Sequence, residues 1–183
     1  MNLETRTVEL DYLELRDDDD GHHHLLGIVA PWHSSFDAGE FLETFARTCF
    51  DKSITERATK IPLLEQHDRN RHPVGMSMSW ENTADGLLAD FKLANTSRAD
   101  ESRQLAADGM VTGLSVAFQP IRNRTETRDG RRHVLRLEAR LDHVGLVTAA
   151  AYGEAKVLAV RAYDPDDPEV APRLAKWRHL LIG

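Results

Sequence analysis

A mainly β protein with peripheral helices and an antiparallel β-barrel or sandwich core is the fold this sequence predicts, and three observations predict it. Several short segments alternate apolar and polar residues with a period of two, Leu87, Ala89, Phe91 and Leu93 being the clearest. Two-residue turn signals, Asp85-Gly86 and Asp129-Gly130, sit between such segments. Only one or two stretches carry helix signals, whereas a parallel sheet needs a helix between most strands. Many short strands and few helices then give a barrel or sandwich with helices packed outside.

The elements follow in chain order. Thr5 to Leu15 reads as a first strand through Val8, Leu10 and Tyr12. Asp17 to His24 is a polar loop of four aspartates, a glycine and three histidines, either a solvated hairpin loop, a metal site or a tag remnant. Leu25 to Ala30 is a short buried strand ended by Pro31. Phe41 to Phe50 is a further strand candidate, and Asp51 to Arg57 a helical turn capped by Asp51. Ile61 to His67 and Pro73 to Trp80 are strands, the second placing Val74, Met76, Met78 and Trp80 on one face. Ser97 as N-cap and Gly109 as stop predict a helix over Arg98 to Asp108. Gly113 to Gln119 returns to strand, and Arg122 to Arg132 is a charged turn. Val134 to Val147 is one long strand or two joined by a bulge, and Ala155 to Tyr163 is the last strand. Residues 1–163 form one domain; Asp164 to Pro168 opens a linker, and 169–181 a short amphipathic helix.

Composition narrows the function. The chain has 183 residues and a formal net charge of -7, which argues against nucleic-acid binding driven by overall charge. Its apolar runs fall short of the ~18 residues a membrane span needs. Cys49 is the single cysteine, so an internal disulfide framework is excluded and a reducing, cytoplasmic setting is expected.

Few residues can carry chemistry. Cys49, among aromatic neighbours, reads as a small buried hydrophobe. His67, Asp68 and His72 do not have the spacing of a helical zinc site. Ser115 faces away from Leu114, Val116 and Phe118, between the small Gly113 and Ala117, which leaves an uncrowded approach to its hydroxyl. An ordinary solvent-facing strand serine fits the same pattern. His67 ends a strand, a position held by the scaffold yet open, as a general base requires; a surface loop histidine is the alternative. By period two, His143 shares a buried face with Leu135, Leu137, Ala139 and Leu141. Arg136, Glu138, Arg140 and Asp142 take the wet face, so Asp142→Asn is expected to matter little. A buried histidine needs a partner, either a second imidazole or a backbone carbonyl.

Together these segments resemble a family. Leu64 to Asp68, Pro73-Val74-Gly75, Asp85-Gly86-Leu87, Asp108 to Phe118, Leu141 to Val147 and Ala155-Lys156-Val157 are similar, in order and spacing, to the prohead (capsid maturation) proteases of tailed DNA phages. The similarity covers about residues 5 to 162. It implies a serine endopeptidase with a herpesvirus-assemblin-like barrel and a Ser-His-His or Ser-His-acid triad. By motif, Ser115 is the nucleophile, His67 the base and His143 the third member, where many relatives carry glutamate. Ala149-Ala150-Ala151 replaces the family's usual proline-alanine, near where backbone oxyanion donors would lie. The resemblance further implies no metal or organic cofactor. Its substrates would be the scaffolding part of the major capsid protein and the protease itself. It would act inside the immature capsid in the host cytoplasm, as a homodimer or higher oligomer. The rivals are a non-enzymatic capsid-assembly protein that keeps the barrel, with Ser115 and His67 apart or blocked, and a hydrolase of small esters with a closed pocket.

Overall fold

The computed structural model describes residues 3–9, 13–17, 22–32 and 34–148. The elements are β1 (Glu4–Glu9), β2 (Leu13–Asp17), β3 (His23–Pro31), β4 (Phe36–Asp37), β5 (Phe41–Phe45), α1 (Asp51–Arg57), β6 (Pro62–Glu65), β7 (Gly75–Asn82), β8 (Gly86–Leu93), α2 (Ser97–Ala107), β9 (Gly113–Arg128) and β10 (Arg131–Val147). All ten strands join one curled sheet, in the order β1-β9-β10-β6-β7-β8-β3-β2, with β5 on β10 and β4 on β5. The mainly β class with outer helices is as expected. The sheet is mixed, however, because β5 and β6 both run parallel to β10.

That departure has a local cause. β5 pairs with Arg132 to Arg136 of β10, and β6 with Val144 to Leu146. Among the described residues no strand covers the stretch between on that edge, and α1 fills the gap. Ser53 Oγ accepts from Leu141 N at 2.9 Å and donates to Ala139 O at 3.4 Å. Arg57 donates to Leu141 O at 2.9 Å and to Asp142 O at 3.4 Å. Ala139 N donates to Cys49 O at 2.9 Å. Backbone groups that a strand would have satisfied are satisfied by a helix, as burial demands. Since α1 carries the chain along β10 without reversing it, β5 and β6 both run with β10.

The core lies inside the curl. Leu25, Val29, Ile61, Leu63, Phe91, Leu114, Val116, Phe118 and Leu141 are fully buried there. Phe118 meets Phe45 and Phe50 at ring-centroid distances of 5.3 and 6.0 Å, in edge-on geometry. Helix α2 is N-capped by Thr96, whose hydroxyl accepts from Ala99 N, and not by Ser97; the chain turns off at Gly109, which takes φ +69°.

Several sequence expectations are corrected. Thr5 to Leu15 is two strands on opposite edges of the sheet. The predicted strand over Phe41 to Phe50 ends at Phe45. Arg122 to Arg132 is mostly strand, and only Asp129 and Gly130, both with positive φ, make the turn. Around β7 the predicted apolar face is split: Val74 is buried and Trp80 packs against the core, with a register irregularity between Ser77 and Ser79. Met76 and Met78 are exposed, whereas Ser77 is buried, accepting from Ile61 N and donating to Ala58 O. In β10 the buried positions on the core side run 134, 136, then 139, 141, then 144, 146. Two register irregularities, one around Glu138 and one between Leu141 and His143, break the period of two. Arg136 is therefore buried rather than wet, and His143 does not share a face with Leu141. The predicted strand over Ala155 to Tyr163, the linker and the C-terminal helix lie outside the described residues.

Candidate active site

β9 sets the first residue. Leu114, Val116 and Phe118 fill the core, so Ser115 and Ala117 project from the sheet's other face. The expectation of an outward-facing serine holds, but Ser115 is fully buried, not solvent-facing. Opposite, on β10, Ser115 pairs with Gly145, and Ala117 pairs with His143. Directly paired residues share a face, so His143 and Gly145 lie on the side of Ser115. The bulge at Asp142 is what moves His143 there.

His67 comes from the end of β6. Glu65 is fixed by α2, accepting from Arg98 Nε at 2.9 Å and from Ser102 Oγ at 2.5 Å. Gln66 N donates to Leu146 O at 2.9 Å. Gln66 and His67 then both take left-handed backbone angles, φ +49° and +59°. Such angles cost about 1–2 kcal/mol per residue outside glycine, and this pair turns the chain back over β10. The imidazole comes to rest on Gly145: a Cβ there would lie 2.6–2.8 Å from Cε1, Nε2 and Nδ1 of the ring. The His67 ring thus occupies the side-chain position directly across from Ser115. Paired Cβ atoms are separated by only about 4.5–5.5 Å.

The two histidines meet. His67 Nδ1 lies 2.8 Å from His143 Nε2, with the rings edge-on at 5.0 Å between centroids. His143 Nδ1 in turn lies 3.0 Å from Asp142 Oδ2, and Arg69 lies 3.6 Å beyond that carboxylate. His67 Nε2 is buried and has no hydrogen-bond partner among the described residues. Burial, together with the adjacent His143, pushes the pKa of His67 down to about 4. Its imidazole is therefore neutral at neutral pH, with a lone pair available.

The remaining candidates do not gather. Among the described residues no three His, Cys, Asp or Glu side chains group as a metal site. His67 is committed to His143 rather than to Asp68 and His72. Cys49 is buried in the core, and burial pushes its thiol up to about 12, far from a reactive thiolate. No helix among the described residues is long and apolar enough to cross a membrane. Ala149 to Ala151 lie outside the described residues. Sequence reasoning missed Gly145, whose missing side chain makes room for His67, and it set Asp142 aside. The adjacent Asp-His pair on one strand was the available signal, but strict alternation put the two on opposite faces.

A serine strand beside a histidine pair, on the outer face of a curled sheet, is a layout suited to acyl transfer. A family model described as the caudovirus prohead serine protease matches residues 11–166, and the chain belongs to that family. The fold is similar to that of the bacteriophage T4 capsid assembly protease, gp21, with a TM-score of 0.59 at 12% identity, covering 80% of this chain and 97% of that one. A search of curated sequences gave no significant match.

Proposed function

We propose that the chain is a serine endopeptidase of capsid maturation in which Ser115 is the nucleophile, His67 the general base and His143 the residue that orients the base. His67 Nε2 takes the hydroxyl proton as Ser115 Oγ attacks the scissile carbonyl. His143 holds the ring through Nδ1 and stabilises the imidazolium that forms. Collapse of the tetrahedral intermediate returns that proton to the leaving amine, and water then cleaves the acyl-enzyme. The substrates are the scaffolding part of the major capsid protein and the protease itself, cut inside the immature shell, and self-association accompanies activity.

The observation that carries this reading is the His67 ring seated on Gly145, across from Ser115 and hydrogen-bonded to His143. The full burial of Ser115 favours the rival, a non-enzymatic assembly protein, since a substrate reaches Oγ only when the groups covering it move. A fluorophosphonate probe separates the two. Labelling at Ser115, with capsid-protein cleavage abolished in Ser115→Ala, is the expected result. An unlabelled serine, or cleavage retained by the variant, would end the endopeptidase reading.

A further inference from the structure

The hydrogen-bond chain does not stop at His143. Asp142 occupies the bulge between Leu141 and His143, is half-buried, and reaches His143 Nδ1 at 3.0 Å. We infer that Asp142 is a positioning residue that fixes the tautomers of both histidines and so leaves His67 Nε2 unprotonated.

The argument is one of donors and acceptors. A carboxylate ionised at neutral pH only accepts hydrogen bonds, and Arg69 is its ion-pair partner at 3.6 Å. His143 Nδ1 must therefore carry its proton toward Asp142. Neutral imidazole has one N–H, so His143 Nε2 is left as an acceptor. The 2.8 Å contact then requires His67 Nδ1 to be the donor. His67 in turn has its single proton on Nδ1, and Nε2, over Gly145 and opposite Ser115, keeps its lone pair. One carboxylate thus sets the direction of the whole relay.

The bulge is what makes this possible. Neighbours on a regular strand point to opposite faces, so an aspartate could not reach the ring of the next residue in this way. The bulge bends the strand at that point, and Arg57 on α1 holds both carbonyls it frees. Arg69, from the loop after His67, pairs with the same carboxylate at 3.6 Å.

The inference rests on the proposed role of His67, and its test separates the two. Long-range proton–nitrogen NMR reports histidine tautomers without any turnover. In the native chain both His67 and His143 should be protonated on Nδ1. In Asp142→Asn the amide can donate to His143 Nδ1, the relay reverses, and both rings should move to the Nε2–H form. Peptide cleavage should then fall about 10²- to 10⁴-fold in kcat with little change in KM. Asp142→Glu should restore the native tautomers and most of kcat. A native His143 protonated on Nε2, or Asp142→Asn with tautomers unchanged, would overturn the inference. If the tautomers reverse as expected but Ser115→Ala still cleaves, Asp142 keeps its role and the Ser115–His67 mechanism fails.

Discussion

His67 is held neutral by its surroundings, and that fixes the sign of its pH dependence. The folded ring protonates near 4, because burial and His143 disfavour the cation, while an unperturbed histidine protonates near 6.5. As pH falls from about 6.5 toward 4, the unfolded chain takes up a proton that the folded chain refuses. Stability from this group is complete above about 6.5, is lost across that window, and falls no further below about 4. An NMR titration of the ring should give a midpoint well below 6.5, and the acid limb of kcat/KM should follow it. A midpoint at or above 6.5 would contradict the desolvated setting. Gly145 makes a sharper test. A methyl at this position would press on three ring atoms at 2.6–2.8 Å, so the imidazole must move by about 1 Å. Misplacement on that scale can cost about 10²-fold in rate. Gly145→Ala should therefore lose about 10²-fold in kcat/KM while keeping its circular dichroism spectrum; unaltered turnover would mean that the ring's seat on Gly145 does not matter.

At the scale of elements, β10 is irregular where the site is, and α1 holds it there. Arg57 donates to the two carbonyls at the second bulge, and hydrogen bonds from a charged group contribute about 1.5–3 kcal/mol each. Arg57→Leu keeps the aliphatic stem but loses both bonds. The 3.4 Å bond is long and adds little, so stability should fall by about 1.5–3 kcal/mol in urea denaturation, and kcat should drop as His143 loosens. A stability loss with cleavage untouched would separate the bulge from the site. The same bulges explain what could be read from the sequence. Period two correctly put Leu114, Val116 and Phe118 inward and Ser115 outward, because β9 is regular there. It failed in β10, where each irregularity advances the phase by one residue, and a bulge leaves no reliable mark in a single sequence. It failed over Met76 to Met78 of β7, where Ser77 is buried on Ile61 N and Ala58 O while both methionines face out, and a register irregularity after Ser77 then returns Trp80 to the core. The meeting of His67 with His143 was legible only through the family resemblance. Their contact spans 76 residues and depends on the two left-handed residues that end β6.

Across the whole molecule, four charges tie the N-terminal strand to the barrel. Among the described residues β1 has a single strand neighbour, β9, so its ladder holds it along one edge. Its Arg6 and Glu4 reach inward to Arg136 on β10 and Glu43 on β5. Glu43 pairs with both arginines, and Glu4 pairs with both as well, at 2.8 Å to Arg6 and 2.6 Å to Arg136. Glu43 is 1% exposed and Arg136 5%, so this half of the cluster is removed from water while Glu4 stays partly exposed, and the two carboxylates balance the two guanidiniums. Both arginines also lie against the Phe118 ring, which makes the network one wall of the core. A complete buried network of this kind contributes little net stability, because desolvation offsets attraction, but a broken one leaves a charge without compensation. Glu43→Gln leaves Arg6 and Arg136 facing the one carboxylate of Glu4. It should cost about 3–5 kcal/mol in urea denaturation and raise amide exchange in residues 4–9 before the rest of the sheet. Replacing Glu4, Arg6, Glu43 and Arg136 together by apolar residues of similar volume should recover most of that loss. If Glu43→Gln costs less than about 1 kcal/mol, the paired charges are not what fastens β1, and the ladder to β9 alone must hold it.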